Sequence, residues 1–328
     1  MNNRRKLLVV LGSGVLSAPF TSFAQQPTKI GRIGYLSPYP SANDQRFEAF
    51  KQQLRDFGHV EGKTIAFEYR SSEAKNERLP ALDAELVRRN VDVIMADGGT
   101  TPANAARNAA RTIPVVFAGV ADPVGLGLVT SLARPGGNVT GISNQQRETA
   151  VKSLEFLKEI VPSAKRVAVL SNPANSSLPF VLADMQAAAR KLRLEIIVVN
   201  VGTPAEFDKA FAEIAQERPA GLVLLADPLF STEAVRLMTL AAKHRLPTIG
   251  RNNNIPEGGG LMSYGANPLD LVRRAAILVD KILKGANPAD LPVEQPIKFD
   301  LVLNKRTAKD LGIKIPNSVL AQATKVIE

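Results

Sequence analysis

Several short segments of this sequence place hydroxyls, amides and glycine directly after apolar runs. They are Ser37-Pro38-Tyr39, Asp97-Gly98-Gly99-Thr100-Thr101, Gly119-Val120-Ala121-Asp122-Pro123, Ser143-Asn144, Ser171-Asn172-Pro173-Ala174-Asn175, Asp227-Pro228, Arg251-Asn252-Asn253-Asn254 and Tyr264-Gly265. These groups offer hydrogen bonds rather than proton transfer. Several precede a helical pattern, whose free N–H groups favour an anion. Arg251 follows an apolar run directly, and a guanidinium there can clamp a carboxylate bidentately. Tyr39 and Tyr264 can stack on a ring. The chemistry expected is a grip on a polar or zwitterionic solute. Each residue also has a structural alternative. Asp122, Asn172 and Asp227 stand before prolines as turn or cap residues do. Gly98-Gly99 fits a tight turn, Thr100 and Thr101 fit helix caps, the tyrosines fit loop packing, and Arg251 fits a solvated surface.

Motifs for catalysis are sparse. The chain has two histidines and no cysteine. His59 falls in a turn after a helical pattern, and His244 falls at a helix C-terminus, where a cation suits the dipole. No Walker-type loop, nucleophile elbow or His-x-x-x-His pair is present, and Gly125-Leu126-Gly127 and Gly258-Gly259-Gly260 do not complete a dinucleotide fingerprint. No catalytic residue, cofactor or metal is expected.

The elements that must position the polar loops repeat a strand-then-helix pattern twice. Strands are expected at 33–37, 64–69, 91–96, 114–118 and 138–143. Helices are expected at 44–57, 79–89 and 103–111, with a short one at 126–132. The pattern restarts with helices at 147–160, 178–191, 204–217 and 232–244 and strands at 166–170, 195–201, 221–225 and 247–250. Phe47, Phe50, Leu54 and Phe57 form one stripe, as do Leu154, Leu157 and Ile160. Short continuous apolar strands flanked by helices mean parallel sheets covered on both faces. The tail adds a strand at 261–264, a helix at 267–283 and a strand at 299–303. These are expected to cross back between two α/β lobes and make a hinge.

The 328-residue length fits two domains, and the net charge of +10 invites a nucleic-acid reading. That reading is set aside. Basic residues alternate with acids, as in Lys152, Glu155, Lys158 and Glu159, and aromatics make up 5%. The absence of cysteine excludes disulfides, thiolate metal sites and a lipid-anchored N-terminal Cys. Residues 1–25 read as a secretory signal peptide. Arg4, Arg5 and Lys6 precede a short apolar run from Leu7 to Leu16, and Ser22-Phe23-Ala24 supplies a small-x-small ending. The basic start also resembles a twin-arginine signal, so either export route fits. Export of a chain with no spanning run leads to the periplasm.

With those residues in hand the chain resembles the ABC-transporter substrate-binding protein family that includes tryptophan-binding members. The resemblance covers Ile30 to Glu328 and is carried by GYLSP (34–38), FGHVEGKTIAFEYR (57–70), RLPALDAELVRRNVDVI (78–94), ADPVGLGLVTSLARPGGNVTGIS (121–143), SNPAN (171–175), GGLMSYG (259–265) and VDKILKGANPADLPVEQPIKFDLVLN (279–304). It implies a type I periplasmic binding protein fold: two Rossmann-like α/β lobes with parallel sheets joined by a multi-crossover hinge. Lobe 1 would take 28–142 plus 262–294, and lobe 2 would take 143–261 plus 295–328. By position, Ser37, Thr100, Thr101, Asp122, Ser171, Asn172, Asp227 and Tyr264 match cleft residues of the family. The strand-end reading adds Tyr39, Gly99, Ser143, Asn144 and Arg251. The stretches Tyr39-Pro40-Ser41, Asn144-Gln145-Gln146 and Arg251-Asn252-Asn253 match no defined specificity. An aromatic amino acid, another amino acid and an aromatic carboxylate all stay open. The partners implied are a small solute and an inner-membrane ABC permease, with no nucleic acid, for a monomeric receptor. The alternative is a periplasmic sensor module. A hydrolase lacks activating residues, and a lactose-repressor-type regulator would need a helix-turn-helix where the signal peptide stands.

Overall fold

The structure is a computed structural model and describes residues 30–40 and 44–328. The expected signal peptide and Ser41 lie outside the described residues. The first sheet contains β1 (Gly31–Ser37), β2 (Ile65–Ser71), β3 (Val93–Ala96), β4 (Val115–Val120) and β5 (Val139–Ser143), in the spatial order β2-β1-β3-β4-β5 and parallel throughout. Its connecting helices are α1 (Gln45–Asp56), α2 (Leu79–Arg88) and α3 (Thr100–Ala109).

The second sheet is built from β6 (Arg166–Ser171), β7 (Glu195–Asn200), β8 (Leu222–Leu224), β9 (Thr248–Gly250), β10 (Met262–Gly265), β11 (Asp300–Asn304) and β12 (Lys325–Ile327). Its order is β12-β11-β10-β9-β8-β6-β7, and the β10–β11 pair is antiparallel. Its helices are α4 (Gln146–Ile160), α5 (Leu178–Leu192), α6 (Phe207–Glu217), α7 (Pro228–Thr232), α8 (Ala234–Lys243) and α9 (Asn254–Glu257). The tail supplies α10 (Pro268–Leu283), α11 (Lys305–Leu311) and α12 (Asn317–Leu320).

Alternation along each strand explains the continuous apolar runs. In β1 and β3, Ile33, Tyr35, Val93 and Met95 pack beneath α1 and α10, whereas Leu36, Ile94 and Ala96 join Leu79 and Leu86 of α2 and Ala103 of α3 on the other face. Both faces are dry, so both sets are apolar. The second sheet repeats this. Val167 and Val169 face Leu154 and Leu157 of α4, and Ala168 and Leu170 face Phe211 and Leu237. Local signals start the helices. Asp44 caps α1 by accepting from the N–H groups of Arg46 and Phe47 at 3.0 and 3.2 Å. Asn267 caps α10 through Leu269 and Asp270. The stripe Phe47, Phe50 and Leu54 is buried; Phe57, counted with it in the sequence, is 39% exposed beyond the helix end.

Beyond α9, α11, α12 and β12, which were not expected, three expected elements differ. Residues 126–132 form turns instead of a helix, because Gly127 takes a φ of 65° and Asp122 accepts from the Gly125 N–H at 2.8 Å, fixing a local turn. The helix expected at 232–244 is split at Glu233, since Asp227 caps an earlier start at Pro228. Residues 262–265 were expected in lobe 1, yet β10 pairs with β9 and β11 in the second sheet; the return to the first sheet comes only with α10. His59 is not a free turn residue either: its Nε2 lies 2.8 Å from Asp280 of α10. The chain passes between the sheets after Ser143, after Gly265 and again before Asp300. A bridge between Ile142 and Glu294 lays two of these passages side by side. Among the described residues no helix is long and apolar enough to cross a membrane.

Candidate functional site

The strand order fixes where a ligand fits. In the first sheet β1 is flanked by β2 and β3, and in the second β6 is flanked by β7 and β8. Connections from such a central strand leave to opposite faces and open a crevice at the carboxyl ends. The crevices of the two sheets meet in one cleft of about 530 Å³, counted to its open mouth. Tyr39, Gly99, Thr100, Thr101, Asn144, Asp227 and Arg251 line it. The cleft is bridged across its rim, where Asn104 of α3 donates to the Ser176 hydroxyl before α5 at 3.1 Å.

The first-sheet wall turns on Gly98 and Gly99, whose φ values are 93° and 107°. A Cβ on Gly98 would stand 2.4 Å from a Pro38 ring carbon, so only glycine lets the β1 and β3 ends approach. The turn delivers α3 at Thr100 with no side-chain cap on its first N–H groups. Behind it lies Asp97, fully buried. Its carboxylate accepts from Tyr35 at 3.2 Å, from the Gly98 N–H at 2.7 Å and from the Arg46 guanidinium. Burial pushes the Asp97 carboxyl up, and Arg46 draws it part of the way back. Burial works most strongly against the charge on Arg46, but Asp97 together with Tyr39, Tyr35 and Asp44 more than offsets it and keeps the guanidinium protonated. Arg46 also lies 5.5 Å over the Tyr39 ring.

On the second-sheet wall, Asp227 accepts from Asn172 at 3.1 Å, Asn175 at 3.0 Å and the Leu229 N–H at 3.0 Å. Burial raises its carboxyl, and these donors oppose the rise. Arg251 follows β9, and its Nε and Nη2 are buried with no partner. Burial lowers its pKa to about 10, with the nearby Arg46 cation adding to the effect. The residues outside the description, 1–29 and 41–43, contain no Asp or Glu that could pair with it. Gly265 makes room for this side chain: a Cβ there would lie 2.6 Å from Arg251 Cγ. Asn252 Oδ1 is also buried and unpartnered, while its Nδ2 donates to Ser231 at 2.7 Å.

Six sequence candidates fall outside the cleft lining. Ser37 is fully buried and donates to Asp44 at 2.8 Å, which supports the α1 cap. Ser171 donates to Asn200 at 2.8 Å, holding β6 to β7. Asn172 stands behind Asp227. Tyr264 packs on Phe156 and Phe299 with centroids 5.3 and 5.7 Å away. Ser143 accepts from the Gln145 N–H and faces a separate open groove on the hinge side. Asp122 lies in that groove too. Its carboxylate pairs with Arg147 of α4 at 2.6 Å, and Arg147 also grips Asp184 of α5 at 2.6 Å. These groups are 20–36% exposed, so the pairs are worth roughly 1 kcal/mol at most. Asp122→Asn is expected to change solute affinity less than ~3-fold and unfolding free energy by under ~1 kcal/mol; calorimetric titration and urea melts check both. A tenfold loss of affinity would return Asp122 to the site. Asn175, from the loop after β6, and Gln146, from the stretch after Asn144, line the cleft too, as do Arg46 and Ser231, which the sequence did not single out.

A family model described as ABC transporter substrate binding protein matches residues 39–327. A tyrosine-binding protein of Clostridioides difficile is 27% identical over 253 residues, covering 77% of this chain and 72% of the relative. The crystal structure of an ABC domain in complex with L-Trp from Streptococcus pneumonia superposes with a TM-score of 0.83 at 25% identity, covering 91% of this chain and 100% of that one. A conserved domain protein from Vibrio cholerae gives the same TM-score of 0.83 at 28% identity, with the same 91% and 100% coverage. The fold is that of the type I periplasmic binding proteins.

Proposed function

The chain belongs to the ABC transporter substrate-binding protein family, and from that premise we propose that it is an exported receptor that delivers a small solute to an inner-membrane permease. It acts in the periplasm as a monomer. Its solute class spans aromatic amino acids, other amino acids and aromatic carboxylates, in keeping with relatives whose names record tyrosine and L-Trp. The lobes follow the two sheets, with α10 joining the first. Closure about the three crossings buries the solute and creates a face that the permease reads. No reaction is performed. The cleft is lined by neither His nor Cys, and its Asp227 is held by amide donors and a backbone N–H.

The observation that carries this reading is the cleft between two strand-end loop systems, with the Arg251 guanidinium buried and unpaired inside it. A solute that binds only the folded chain stabilises it by about 2.7 kcal/mol at a hundred times its Kd. Thermal melts against amino acids and organic acids should therefore pick out one chemical class. Cells lacking the protein should lose uptake of that class. Uptake at the unmodified rate would sink the importer role.

A further inference from the structure

Resting on that solute-receptor reading, we propose that Asn252 determines specificity in the cleft: its side-chain oxygen accepts a hydrogen bond from an N–H or O–H group that the solute brings in addition to the acidic group held by Arg251. The two residues are neighbours on the loop after β9, and both line the cleft. Arg251 offers only donors, and its Nε and Nη2 are unpartnered. Asn252 Oδ1 offers only lone pairs, and it is buried with no partner. One short loop therefore presents unmet donors beside an unmet acceptor. A solute with a carboxylate alone answers the donors and leaves the acceptor dry. A solute that also brings an N–H or O–H answers both.

The Asn252 amide cannot satisfy itself by turning over. The Ser231 hydroxyl of α7 donates to the Asp227 carbonyl at 3.2 Å, and a carbonyl can only accept. The Ser231 oxygen is left to accept from Asn252 Nδ2 at 2.7 Å. A turned amide would set its oxygen against the Ser231 oxygen, whose hydrogen is already spent. Asn254 braces Ser231 from the same loop, donating Nδ2 to the Ser231 carbonyl at 2.8 Å. Ser231 is therefore a positioning residue, and Asn252 is the one that touches the solute. An acceptor left buried and unpaired costs more than an ordinary hydrogen bond returns, so a site of this kind rejects an analogue that lacks the donor. Asp227 on the same wall favours a donor too. Its carboxylate is held by two amides and a backbone N–H, with no cation among those partners.

The test is isothermal titration of the purified protein with pairs that differ by one donor group: L-phenylalanine and L-3-phenyllactate, each against 3-phenylpropionate; L-tryptophan against indole-3-propionate; L-leucine against 4-methylpentanoate; and 4-hydroxybenzoate against benzoate. In the pair that fits the cleft, the donor-bearing solute is expected to bind at least ~10-fold more tightly. Asn252→Leu, which keeps the size of the side chain, and Asn252→Ala are each expected to cut that ratio at least ~5-fold, by weakening the donor-bearing member alone. Ser231→Ala is expected to cut it in the same direction by less, since the amide is then free to turn. A residue that only shaped the loop would weaken both members alike and leave the ratio where it was. A parent ratio below ~10-fold, or one that falls by less than ~5-fold in whichever Asn252 variant keeps the parent's circular dichroism, overturns the inference and leaves the solute receptor standing. Silence from every compound with a folded protein overturns both.

Discussion

Arg251→Met is expected to raise the melting temperature of the solute-free protein and to weaken solute binding about 100-fold. The two effects have opposite signs for one reason. Without solute, the guanidinium has buried nitrogens with no partner, and its pKa is lowered to about 10 by burial and then by Arg46. Replacing a buried charge with an apolar side chain of similar reach is stabilising by about 1–4 kcal/mol in favourable cases. With solute bound, the same nitrogens gain a charged partner, and truncating one side of such a buried pair costs about 2–5 kcal/mol. Differential scanning calorimetry and titration calorimetry on one preparation separate the terms. A residue that merely braced the fold would lower both stability and affinity. A fall in the solute-free melting temperature would mean that Arg251 holds the loop after β9.

The second large effect concerns Asp83 on α2. It occupies the buried stripe with Leu79 and Leu86 and is fully buried, with neither carboxyl oxygen partnered. Burial raises its pKa from 3.8 to about 7. The sign follows from proton binding. Between about pH 4 and 7 the native chain holds this proton and the unfolded chain does not. Asp83's contribution to stability is therefore complete below about pH 4, declines as pH rises through 7, and is flat above. The span is on the order of 4 kcal/mol for a shift of roughly three units. Asp83→Asn should remove that decline and stabilise the protein at pH 8 by ~2 kcal/mol or more, with little change at pH 4.5. Urea melts at the two pH values, compared between variant and parent, isolate this group from the other carboxylates. Equal shifts at both values would mean that Asp83 is ionised or hydrated throughout.

Much of the fold was legible because both sheet faces are covered. That turns β1, β3, β6 and β8 into apolar runs, although Asp44, expected as the first helical residue, is the cap of α1. The sheet to which β10 belongs was not legible. MSYG has no local mark of its partners, which lie at 248–250 and 300–304 in sequence. Within the site, the rule that ligands sit at strand ends located Tyr39, Gly99, Thr100, Thr101, Asn144, Asp227 and Arg251 on the cleft. The rule could not separate Asp122 from Asp227, because Asp-Pro serves a turn equally well in both. Arg147, which engages Asp122, is 25 residues away. Arg46 was missed because it belongs to a helix. The signal available was position: it stands in the first turn of a helix that starts at the crevice, two residues after the cap Asp44.

The central claim is that the two α/β halves close on an anion held by Arg251. A crystal structure of the protein with the solute that most raises its melting temperature tests this most directly. The expected result is a carboxylate within hydrogen-bonding distance of the Arg251 guanidinium and of the backbone N–H groups at Thr100 and Thr101. A solute bound outside the cleft, or inside it with Arg251 still unpaired, would contradict the account.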